Sequence, residues 1–140
     1  MKETWIEKVA WLKKGEGIAA QGTVPESAEF FQDHFPGFPV LPGVLMLEIL
    51  KQTAARYLQS AGFSEPSRLR LCELRDVKFT HFLKPGDEWE SRVELLSQKK
   101  SQMECRGRLS SKDRIAASAK FTLGLMPTEP QKSFARGERG

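Results

Sequence analysis

His34 and Glu48 are the side chains of this sequence best suited to proton chemistry. His34 opens the run His34-Phe35-Pro36-Gly37-Phe38-Pro39-Val40-Leu41-Pro42-Gly43, in which three prolines each fix φ and remove a backbone donor. Such a run makes a stiff loop, neither a central strand nor a helix interior. Glu48 is the lone charge among Val44, Leu45, Met46, Leu47, Ile49 and Leu50. A carboxyl group with aliphatic neighbours on every side is costly to bury ionised, which suits it to donate a proton. An imidazole is the side chain ordinarily neutral yet basic near pH 7. Each has an ordinary reading alone: a helix carboxylate turned to solvent, and a loop histidine bonded to a carbonyl. Together they form a potential base and acid pair.

These groups need a rigid support, and the chain supplies a helix. The pattern predicts one from Pro42 or Gly43 to about Ala61, closed by Gly62. Helical spacing puts Val44, Glu48, Gln52 and Ala55 on one stripe, and most of the first three turns read as buried. Gln52 lies one turn beyond Glu48 and is either its hydrogen-bond partner or a polar residue at the helix edge. Ahead of the loop, Gly15-Glu16-Gly17 separates two apolar-bearing runs and predicts a hairpin. Ser27 caps a short helical turn.

After a linker over residues 64–67, four extended runs follow. Residues 68–82 carry a break near Glu73 to Asp76 that reads as a bulge. Lys84-Pro85-Gly86-Asp87 is a turn. Trp89, Ser91, Val93 and Leu95 then alternate with charges, as do Met103, Cys105, Gly107 and Leu109, and again Ile115 to Leu125. Antiparallel strands with one wet face fit this pattern. His81 falls at a strand end. Residues 1–126 form one domain and 127–140 a basic tail.

The run from His34 through Pro42-Gly43-Val44 to Glu48 and Gln52 resembles the signature of FabZ-type 3-hydroxyacyl-acyl-carrier-protein dehydratases. A weaker match comes at Phe79 and Pro85-Gly86-Asp87. The resemblance implies an α+β hotdog fold, with a long central helix wrapped by a curved antiparallel sheet. It implies dehydration of a 3-hydroxyacyl thioester to the trans-2-enoyl thioester in fatty-acid or related lipid or polyketide synthesis. It implies His34 and Glu48 as catalytic residues, with Gly43, Gln52, Phe35, Pro42 and Val44 binding substrate or its oxyanion. Neither a metal nor an organic cofactor is implied, because phosphopantetheine on an acyl carrier protein carries the substrate. The implied assembly is a homodimer or a trimer of dimers, with the catalytic pair facing across the interface. The chain departs from the family at Asp33 and Phe38 and lacks its usual N-terminal motifs.

With 140 residues and 39% hydrophobic content, the chain reads as one soluble globular domain. It shows no membrane span and no signal-peptide core, so a cytoplasmic protein is expected. Cys72 and Cys105 lack metal-ligand spacing and read as reduced thiols. Residues 97–120 hold seven Lys/Arg against two Asp/Glu, a patch able to steer an acidic partner such as a carrier protein. The patch lacks the interleaved aromatics of a nucleic-acid binder. Two other readings compete with dehydration: a hotdog acyl-thioesterase, and a non-catalytic partner subunit that binds acyl groups or the carrier.

Overall fold

A computed structural model describes residues 5–26, 40–62, 69–99 and 101–125. Strands β1 (Lys8–Lys13) and β2 (Gly17–Thr23) precede helix α1 (Gly43–Ser60), and β3 (Leu69–Phe79), β4 (Glu88–Gln98), β5 (Gln102–Ser111) and β6 (Arg114–Leu125) follow it. All six strands join in one antiparallel sheet of order β1-β2-β4-β5-β6-β3. The expected hairpin is β1–β2, with Gly15 at φ 86° in its turn. The Tyr57 hydroxyl accepts the Gly15 N–H at 2.8 Å, which ties the hairpin tip to the last turns of the helix.

Strand alternation follows from which face meets α1. Trp89, Ser91 and Val93 on β4, and Met103, Cys105, Gly107 and Leu109 on β5, are buried. Met46, Ile49, Leu50, Thr53, Ala54, Tyr57 and Leu58 supply the buried face of the helix. Each large aliphatic side chain sealed this way contributes about 1.5–3 kcal/mol. Gly107 has no side chain because a β-carbon there would lie 3.0 Å from Phe121 and 3.2 Å from Leu50, so the helix seats directly on the sheet. Within the core, the Thr53 hydroxyl bonds to the Ile49 carbonyl at 2.8 Å and meets the Ser91 hydroxyl at 2.6 Å.

The ends of α1 match the sequence pattern. Pro42 is the N-cap, with φ −60° and ψ 148°, and Gly62 takes a positive φ of 99° just past the C-cap Ala61. The Leu41 N–H bonds to the Leu83 carbonyl at 2.8 Å, and both side chains are buried. This pins the chain entering the helix to the segment that leaves β3. The expected bulge is present: β3 slips against β6 between Leu71 and Glu73 and again between Arg75 and Lys78, with Asp76 at φ 54°. The Lys84–Asp87 turn is closed by Asp87 Oδ2, which accepts the Lys84 N–H at 2.9 Å.

Three apolar side chains are left uncovered. Val44 lies in the first helical turn yet is 70% exposed, and Leu71 and Phe79 on β3 are 42% and 49% exposed. Apolar periodicity identified their elements but not their cover. The helix turns Met46, Ile49 and Leu50 to the sheet and Val44 away from it, and β3 is an edge strand with a neighbour on one side only. The predicted helical turn after Ser27, the linker and the tail lie outside the described residues.

Candidate active site

Glu48 projects from the second turn of α1 into a groove of about 260 Å³ between the helix and the β3 edge. Val44, Leu47, Leu71, Leu74 and Phe121 line it, so the carboxyl group is half-buried in an apolar setting, as its neighbours in sequence predict. Gln52, one turn on, donates its Nε2 hydrogen to Glu48 Oε2 at 3.2 Å. This settles the choice left open for Gln52: it is the partner of the carboxyl group. In turn, Gln52 Oε1 accepts the backbone N–H of Trp5 at 2.9 Å.

The N-terminus of α1 lies just over one turn before Glu48. The N–H groups of Leu45 and Met46 both bond to the Pro42 carbonyl, at 3.0 and 3.3 Å. Those of Gly43 and Val44 precede the intrahelical ladder and have no helical partner, at the positive end of the helix dipole. Phe79 covers this end: a β-carbon at Gly43 would lie 2.9 Å from the Phe79 ring. Helix start, carboxyl group and apolar wall thus converge on one groove. This arrangement can hold an acyl chain, polarise a carbonyl oxygen and hand a proton to a leaving group.

Of the residues singled out in the sequence, Val44 and Glu48 line the groove, Gln52 bonds to Glu48, and Pro42 and Gly43 form the helix start next to Val44. His34 and Phe35 lie outside the described residues, as do Asp33 and Phe38. Trp5 went unnoticed as a neighbour of the site. The apolar pair Trp5-Ile6 ahead of β1 was its only signal. His81 stands just past β3, its N–H 3.4 Å from the Ala116 carbonyl. Cys72 and Cys105 are free thiols, the first exposed and the second buried.

Fold and groove define a hotdog-fold protein whose central helix carries a carboxylate. The solved dehydratase heterocomplex ApeI:P from Xenorhabdus doucetiae superimposes with a TM-score of 0.72, covering 89% of this chain and 84% of that one at 17% identity. In sequence, residues 10–120 match the ApeI-like family, described as ApeI dehydratase. The 3-hydroxyacyl-acyl-carrier-protein dehydratase FabZ of Lactobacillus helveticus is 32% identical over 130 residues, 93% of this chain and 86% of its own length. The FabZ of Albidiferax ferrireducens is 34% identical over 123 residues, 86% and 82% of the two lengths. The chain belongs to the FabZ- and ApeI-like dehydratase family, and it is a dehydratase.

Proposed function

We propose that the chain removes water from a 3-hydroxyacyl thioester presented on the phosphopantetheine arm of an acyl carrier protein, releasing the trans-2-enoyl thioester. The observation that carries this reading is the Glu48 carboxyl group, held by Gln52 in an apolar groove beside the helix N-terminus. His34 takes the C2 proton, and electron density shifts onto the thioester oxygen, where the Gly43 N–H stabilises it. As the C2–C3 double bond forms, the C3–O bond breaks, and the leaving oxygen takes the Glu48 proton to depart as water. His34 then returns its proton to Glu48 through solvent. Val44 and Phe79 flank the acyl chain. Every group in this scheme belongs to the chain or to the substrate.

The complete site needs a second chain. The β3 edge exposes Leu71, Leu74 and Phe79 beside the groove, and unpaired edges with apolar side chains invite strand pairing. The proposed occupant is another copy, so that the His34 loop of one protomer faces Glu48 of the other. The Xenorhabdus doucetiae dehydratase is part of a heterocomplex, which favours a different chain as the second reading. The cation-rich outer sheet face, where Arg92 and Arg108 lie opposite each other on β4 and β5, supports an acidic carrier. A cytoplasmic carrier-linked pathway is the setting we propose. No helix among the described residues is long and apolar enough to cross a membrane.

The test is hydration of a 2-enoyl thioester, the reverse reaction, followed by loss of enoyl absorbance with free thiol assayed in parallel. Enoyl loss that requires His34 and Glu48 and releases no thiol supports the reading. Thiol release would replace it with hydrolysis. Turnover undiminished in both His34→Ala and Glu48→Gln would remove the proposed catalytic pair.

A further inference from the structure

We infer that the main-chain N–H of Trp5 is a positioning group for the proposed acid, and that through Gln52 it selects Glu48 Oε1 as the oxygen that carries the proton. This rests on Glu48 being the acid of the proposed reaction. The argument follows donor and acceptor capacity along three groups. A backbone N–H can only donate, so the amide oxygen of Gln52 must face Trp5, as it does at 2.9 Å. The Gln52 NH₂ group then faces Glu48, and it too can only donate. Glu48 Oε2, 3.2 Å away, must accept. A proton on the carboxyl group therefore belongs on Oε1, the oxygen not held by Gln52. Turned round, the Gln52 amide would offer its oxygen to Glu48 and draw that proton onto Oε2, away from the leaving group.

The position of Trp5 is itself enforced. Its side chain is buried, and the Glu7 N–H two residues on bonds to the Gln21 carbonyl at 2.8 Å. Gly22 makes the close approach possible, because a β-carbon there would collide with both the Trp5 carbonyl oxygen and the Trp89 ring. The segment before β1 is thus clamped between β2 and Trp89, with its N–H aimed at the helix. Trp5 and Gln52 lie 47 residues apart in the chain, so neither local geometry nor helical spacing creates this link.

A double-mutant cycle on kcat tests the inference, using the full chain and a 2-enoyl thioester. Trp5→Pro removes the N–H. It is expected to lower kcat about tenfold, the effect of one hydrogen bond, with KM within about twofold. In a Gln52→Ala background, adding Trp5→Pro should change kcat by less than about twofold, because the amide it orients is gone. If Trp5→Pro is harmless, or costs as much without Gln52 as with it, the inference is overturned and Trp5 only packs. If Trp5→Pro fails to fold, the same cycle uses the α-hydroxy acid analogue of Trp at position 5, which exchanges the N–H for an ester oxygen and keeps the indole. Full turnover in Glu48→Gln would instead sink the underlying assignment, an outcome distinct from failure of the cycle.

Discussion

The Phe79 ring stands where a β-carbon on Gly43 would go, 2.9 Å from that position at its nearest atom. An edge-strand aromatic thereby lies close against the Cα of the first residue of the central helix, and glycine is the residue that permits it. Gly43→Ala must displace the ring or the helix start. The expected cost is about 1–3 kcal/mol in urea denaturation, with a larger loss in kcat because the amide donor moves. Trimming the obstacle with Phe79→Leu in the Gly43→Ala background should restore most of the stability.

Glu48→Gln keeps the shape and the Gln52 contact but can neither give the proton in dehydration nor take it from the adding water in the reverse reaction. It should lower enoyl hydration about 10²–10⁴-fold, the usual contribution of a general acid, while the thermal midpoint stays within a few degrees of wild type.

Thr53 and Ser91 join the helix to β4 in the core, and both are fully buried. A hydroxyl has one hydrogen. Thr53 gives its own to the Ile49 carbonyl, so Ser91 donates to Thr53. Thr53→Val should therefore cost about 1–3 kcal/mol by stranding the Ser91 hydroxyl. Ser91→Ala added to it should cost less than the sum of the two single changes, as read by chemical denaturation.

Burial pushes the Cys105 thiol up from its ordinary 9.0 to about 12, and the neighbouring Glu104 carboxylate adds to the shift. The fold thus favours the protonated thiol, whereas the unfolded chain loses that proton near 9. This contribution to stability is complete below about pH 9 and declines as pH rises from there towards 12. Cys105→Ala should flatten that part of the stability curve. In the native protein at pH 8 a thiol-disulfide exchange reagent should modify Cys72 alone, with Cys105 reacting after denaturation.

Leu74 tests the proposed second chain. Leu74→Glu places a charge in the apolar rim of the groove, away from the helix–sheet core. Light scattering should show the assembly falling to single chains, with turnover lost and far-ultraviolet circular dichroism preserved. A wild-type protein that is monomeric yet active would remove the need for a partner.

Much of this was legible in the sequence, for physical reasons that can be named. Proline at 42 and glycine at 62 bracket the helix because one has no N–H to give to a ladder and the other accepts a positive φ. Met103, Cys105, Gly107 and Leu109 announced β5 because a pleated strand buries alternate residues. The choice for Gln52 was fixed only in three dimensions. Periodicity marks a residue as apolar without saying what covers it, so the exposure of Val44, Leu71 and Phe79 was not legible. The Trp5 contact was out of reach, since it joins a backbone atom to a side chain with no shared period.

The strand order also sets a timetable. Within the sheet β2 touches only β1 and β4, with Thr23 opposite Glu88 and Gly17 opposite Glu94. During synthesis the first hairpin leaves the ribosome long before the strand that must shelter it. Until β4 arrives, Ile18 and Ala20 have no sheet neighbour on that side, and two strands alone are marginal in water. Non-local pairing of this kind slows folding. Because β3 in turn waits for β6, the nascent chain should gain protease resistance late and abruptly, near the emergence of residue 125, rather than in step with its length.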